Sequence, residues 1–160
     1  MNRLAIRALR ILIVIGFIGS LGMQLWFLPT LAAEIATVGA PELAYLRYPY
    51  LVICIAAIAC VQVAAVAVWQ LLGMVARDAI FDRGAFRWVD TVIWCAIAAT
   101  ALMLGLFVYH GFVLQLGPPA FGLLLLALIV AGAGIALLMA VMRSLLVKAA
   151  GMQAELADVI

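Results

Sequence analysis

The side chains with chemistry to offer are few, and they stand apart from one another. His110 is the single histidine. A metal or haem site would need further His, Cys or carboxylate ligands beside it. Catalysis would need a nucleophile or an acid–base partner within reach. Glu34 and Glu42 are the carboxylates that chain order puts on the same side as His110, and they make a sparse ligand set. His110 reads instead as an interfacial histidine beside Tyr109. Cys54, Cys60 and Cys95 fall inside apolar stretches and form no Cys-X-X-Cys, so neither a redox nor a zinc pattern arises. They read as small buried apolar side chains. Gln24 and Gln62 sit one on each of two successive apolar stretches, which predicts an interhelical hydrogen bond with a packing role. No catalytic, cofactor-binding or metal-ligating set converges, so the sequence predicts neither an enzyme nor a cofactor.

The elements that carry these residues are apolar to an extent water does not support. Of 160 residues, 71% are hydrophobic and 10% charged, and the mean hydropathy is +1.35. Soluble domains carry roughly 25% charged residues, enough to cover a surface that this chain leaves bare. The lipid bilayer is therefore its predicted solvent. Hydrocarbon about 30 Å thick needs about 20 apolar residues per helical crossing. Four stretches meet that length, from about Arg10 to Ala33, Pro49 to Met74, Trp88 to Phe112 and Pro119 to Met142. None has an ionisable residue in its central part. Strict polar–apolar alternation, the mark of a membrane β-barrel, is absent. The predicted fold is all-α: one membrane domain over residues 1–160, a four-helix bundle with a helical extension over 143–160. The first stretch is longer than the 7–15 residue core of a secretory signal, which predicts a retained helix. The net charge of +2 argues against direct nucleic-acid binding.

Charge gives the polarity. Arg3, Arg7, Arg10, Arg77, Arg83, Arg87, Arg143 and Lys148 lie on one side of the four stretches, and Arg47 alone lies on the other. Positively charged connections stay in the cytoplasm, so both termini and the middle loop are expected there, in a bacterial plasma membrane. Trp26, Tyr45, Tyr48, Tyr50 and Tyr109 then belong to the outer interface, and Trp69 and Trp88 to the inner one. In the middle loop, Asp82 is the expected N-cap of the third helix, with Phe81 and Phe86 spaced to close a hydrophobic staple. Asp90 follows Arg87 at i, i+3, which predicts an ion pair within that helix. Pro119 opens the fourth helix, where a missing N–H is tolerated.

Small residues recur at helical spacing: Gly16, Gly19 and Gly22; Ala56, Cys60 and Ala64; Ala101 and Gly105; Gly132 and Ala136. They predict close helix approach, within the bundle or between copies. After Arg143, the residues Leu145, Ala149, Met152, Leu156 and Val159 form an apolar stripe at steps of four and three, with Lys148 off it. So short a helix is not stable alone in water, and its stripe needs a surface to rest on. Phe81, Asp82, Phe86, Leu145, Lys148, Met152, Leu156 and Val159 are accordingly the candidate partner-binding residues.

The segments AIFDRGAFRWV (79–89) and VMRSLLVKAAGMQAELADVI (141–160) resemble the small four-span bacterial membrane proteins of the YoaS-like type, a domain of unknown function. That family opens its third span with Ile-Phe and a capping residue, and closes on a tail of the form LL-x-K-A … E-L-x-x-V-I. The resemblance implies no established activity. Because such genes often lie beside one for a small Cro-type helix-turn-helix regulator, it implies a membrane partner for a regulator of that kind. The expected function is thus a non-enzymatic interaction or regulatory module that acts through the cytoplasmic loop and tail. The alternative is an accessory subunit or homo-oligomeric component of a membrane complex, ahead of a small transporter or channel, for which the spans lack a charged or broken path.

Overall fold

The computed structural model describes residues 3–30, 32–33, 47–76, 83–114 and 119–158. Four long helices run through them: α1 (Arg3–Gly22), α2 (Arg47–Val75), α3 (Arg83–Val108) and α4 (Pro119–Asp158). Two π-helical turns extend the first and third, Met23–Phe27 after α1 and Tyr109–Leu114 after α3. No strand occurs among the described residues. Each long helix, taken with the helical turns that extend it, carries a segment long and apolar enough to cross a bilayer: Ile6–Thr30, Tyr48–Val75, Gly84–Gly111 and Ala120–Ala149. A helix satisfies its own backbone hydrogen bonds, which hydrocarbon requires. The chain is a multi-pass membrane protein with an all-helical bundle fold.

The helices run past the expected spans at several ends. α1 begins at Arg3 rather than near Arg10, α3 at Arg83 rather than near Trp88, and α4 continues to Asp158. Hydropathy marks where hydrocarbon begins, whereas a backbone ladder persists through the headgroup zone until something breaks it. Pro119 is the first residue of α4, as its missing N–H favours. The first π-helical turn has a local cause in Pro29, whose ring clashes with the carbonyl four residues back and which donates no N–H. Leu28 N–H accordingly reaches back to the Met23 carbonyl. The Thr30 hydroxyl donates to the Trp26 and Phe27 carbonyls, 2.9 Å each, and so covers backbone groups that the wider turn releases.

Packing is consecutive. α2 lies closely against α3, and α3 against α4, while α1 rests on α2 over a smaller contact. Among the described residues the buried core is Ala57, Ala67 and Leu72 of α2, Ala85, Val89, Val92 and Leu106 of α3, and Leu125 of α4. α1 contributes none. Small residues at the contacts let backbones approach, and Gly132 of α4 is the clearest case. A Cβ built there would overlap the Thr100 hydroxyl of α3 and lie 3.5 Å from its Cβ. Gly132 therefore serves contact within this chain. The other expected small-residue faces differ. Gly16, Gly19, Gly22 and Gly105 have no neighbouring atom within 4 Å of such a Cβ.

Candidate interaction surface

Polar contacts gather at three levels along the bundle, and each begins with a residue that helix geometry turns toward a neighbour. The first is a chain of hydrogen bonds between α1 and α2. Gln62 Nε2 donates to Gln24 Oε1 at 2.9 Å and to Ser20 Oγ at 3.0 Å. Gln24 Nε2 donates to the Ile55 carbonyl at 3.1 Å, and Ser20 Oγ to the Phe17 carbonyl at 2.8 Å. The Gln24–Gln62 bond is the one the sequence predicts. Ser20 joins it because it precedes Gln24 by four residues and so shares its face. Gln24 lies within the first π-helical turn.

The second level is aromatic. Tyr50 of α2 places its hydroxyl 2.9 Å from His110 Nδ1, and His110 stands edge-on to Phe121 of α4, with ring centroids 4.8 Å apart. Tyr50 and Tyr109 also meet edge-on at 6.3 Å. His110 lies in the second π-helical turn, and it ties α2, α3 and α4 together at one end. Tyr109 is its chain neighbour, as expected, but its hydrogen-bond partner is Tyr50. Glu34 and Glu42 lie outside the described residues.

The third level is the basic end. Arg10 of α1 lies over the Trp69 ring of α2, its Cζ 5.2 Å from the centroid, an arrangement of cation and aromatic face that is attractive near a membrane surface. Its Nε is enclosed without a hydrogen-bond partner among the described residues. Asp90 pairs across helices with Arg143 of α4, through Nε to Oδ1 and through Nη2 to Oδ2 at 3.0 Å. This corrects the expected Arg87–Asp90 pair. Arg87 is two residues from both Ala85 and Val89, so at 100° per residue it leaves α3 roughly opposite the face they bury. Asp90 stands nearer the α4 contact, where a guanidinium can grip it in a two-pronged fork.

The eight candidate partner-binding residues fare unequally. Leu145, Lys148 and Met152 are exposed on the last part of α4, Leu145 at 54% and Met152 at 62%, and Leu156 lies further along the same helix. Phe86 is half-buried in the second turn of α3. Phe81, Asp82 and Val159 lie outside the described residues, and with them the expected cap and staple. Two features of this end escape sequence reasoning, the Asp90–Arg143 fork and the Arg10–Trp69 contact. The i, i+4 and i, i+3 rules see only one helix at a time, and both contacts join two.

Residues 30–160 match the family model described as "Protein of unknown function (DUF2975)". The description carries no YoaS-like designation. No curated protein and no solved structure matches. The matched region holds α2, α3 and α4 and leaves α1 outside it.

Proposed function

This chain belongs to the DUF2975 family of proteins of unknown function, and on that premise we propose that it is a non-enzymatic interaction module of the bacterial plasma membrane. Both termini and the middle loop face the cytoplasm in this reading, following the eight basic residues against one. The working surface is the projecting end of α4, with Leu145, Lys148, Met152 and Leu156, together with Phe86 at the start of α3. The partner is a small cytosolic protein, of which a helix-turn-helix regulator is one class.

The observation that carries this is the length of α4. Its 40 residues extend about 60 Å, against about 30 Å of hydrocarbon. Pro119 to Arg143 already covers about 36 Å, which leaves about 22 Å of unbroken helix beyond the Asp90–Arg143 pair. Membrane helices tilt by up to about 40°, too little to sink the remainder. An unbroken helix that crosses the bilayer does not also lie flat on it, so the exposed Met152, beyond the crossing segment Ala120–Ala149, calls for a protein to cover it.

The test is to delete residues 148–160 and compare the cytosolic proteins that co-purify in mild detergent. Loss of at least one specific protein is expected, and an unchanged set would overturn the reading. A second reading, a homo-oligomeric or accessory component, draws on Gly16, Gly19 and Gly22 of α1, which have open space beside them. It predicts a detergent-corrected mass above that of one chain, and a strictly monomeric mass would remove it.

A further inference from the structure

Because Asp90 is held by Arg143, Arg87 is left with its guanidinium unpaired among the described residues. It lines an open groove of about 280 Å³ with Gly84, Trp88 and Thr91. These four positions fall at i, i+3, i+4 and i+7, one face of α3. We propose that this groove binds the headgroup phosphate of an anionic phospholipid of the phosphatidylglycerol kind.

Three observations lead there. The first is the donor set. Arg87 and the indole N–H of Trp88 are both without hydrogen-bond partners among the described residues. The Thr91 hydroxyl is spent on the Arg87 carbonyl at 2.9 Å. Among the described residues no carboxylate lines the groove, and Asp90, the nearest described one along the helix, has both oxygens on Arg143. Two free donors with no carboxylate beside them among the described residues suit an anion. The groove holds no described carboxylate to pair with the ammonium of a zwitterionic headgroup, and the Arg87 charge repels that ammonium, which favours phosphatidylglycerol over phosphatidylethanolamine or phosphatidylcholine.

The second is depth. The crossing segment of α3 is Gly84–Gly111, and the part from Thr91 onward already covers about 30 Å of hydrocarbon. Arg87 and Trp88 therefore stand about one turn outside it, where phosphates lie and where tryptophan and arginine are favoured. The third is continuity with the acyl region. Trp94, one turn deeper on the same face, is 69% exposed, and Ala98 beyond it is exposed. Together they offer a track for one acyl chain below the headgroup.

The experiment reconstitutes the full chain in phosphatidylcholine vesicles containing a minor fraction of phosphatidylglycerol brominated on its acyl chains. Quenching is assigned to this groove as the difference between wild type and the Trp88→Phe, Trp94→Phe double variant. Brominated phosphatidylglycerol is expected to quench with an apparent affinity about fivefold above brominated phosphatidylcholine, the preference one basic side chain supplies at a lipid surface. Arg87→Gln should abolish that preference and Arg87→Lys should retain most of it, with helicity and elution volume as folding checks on both. Equal quenching by the two lipids in wild type would overturn the proposal, as would a preference that survives Arg87→Gln. Excess inorganic phosphate should leave the preference intact. If it competes the lipid away, the groove takes free phosphate and the lipid assignment is wrong.

Discussion

α1 and the three helices after it are held by different forces. α2, α3 and α4 share every buried side chain among the described residues, approach closely at Gly132 and Thr100, and are linked by Asp90–Arg143 and by Tyr50–His110. α1 buries nothing. It is attached through Ser20, Gln24 and Gln62 at one level and through Arg10 on Trp69 at another. Lipid removes the hydrophobic drive between helices, so association relies on close packing or on hydrogen bonds. The three-helix part uses mainly the first and α1 mainly the second. The matched family region follows the same division, since it begins at residue 30. The tightly packed helices are the ones the family model matches in this chain.

That division is open to attack from both sides. The largest expected effect comes from Gly132→Leu, which drives a side chain into Thr100. Overpacking of this kind destabilises by about 1–3 kcal/mol, to be read as a lower thermal transition in detergent, together with loss of α3–α4 packing in a monomer. A change in oligomer mass with an unaltered transition would contradict the placement of Gly132 inside the chain. Next is Asp90→Asn, which strips Arg143 of its fork and should lower the same transition. The charge-swapped double variant Asp90→Arg, Arg143→Asp should recover much of the loss, and a double variant no better than the single would show that the pair does not join α3 to α4.

Gln62→Leu removes two donated hydrogen bonds, each worth about 0.6 kcal/mol on average in a membrane protein. It should loosen α1 while leaving the melting of α2–α4 in place, seen as faster hydrogen exchange confined to α1 and the facing turns of α2. Exchange that rises evenly over all four helices would abolish the distinction. Tyr50→Phe is the mildest, at about 0.6 kcal/mol, and should act locally on the His110 ring, visible as a shifted imidazole resonance with the fold intact.

The number and rough placement of the helices were legible because hydropathy reports directly on the surrounding solvent. So was the Gln24–Gln62 bond, since two amides on successive helices of a hairpin in lipid have few alternatives. The apolar stripe after Arg143 signalled that α4 continues outward. What stayed hidden depends on how neighbouring helices are rotated about their axes. Asp90 has Arg87 within reach along the chain, and only the seating of α4 shows that Arg143 takes it instead. Gly132 looked like other small residues until Thr100 faced it, while Gly105, equally small, faces open space. The π-helical turn before Pro29 had a signal in that proline. The one at Tyr109–Leu114 has no comparable residue, and we find no cause for it in the described structure.

The continuity of α4 has a mechanical consequence. A rigid rod anchored by its neighbours near Arg143 and extending about 22 Å further behaves as a pointer. A tilt of about 10°, well within what a change of bilayer thickness produces, swings its tip by about 4 Å. A change in bilayer thickness thus arrives at Met152 and Leu156 as displacements of about 2–3 Å.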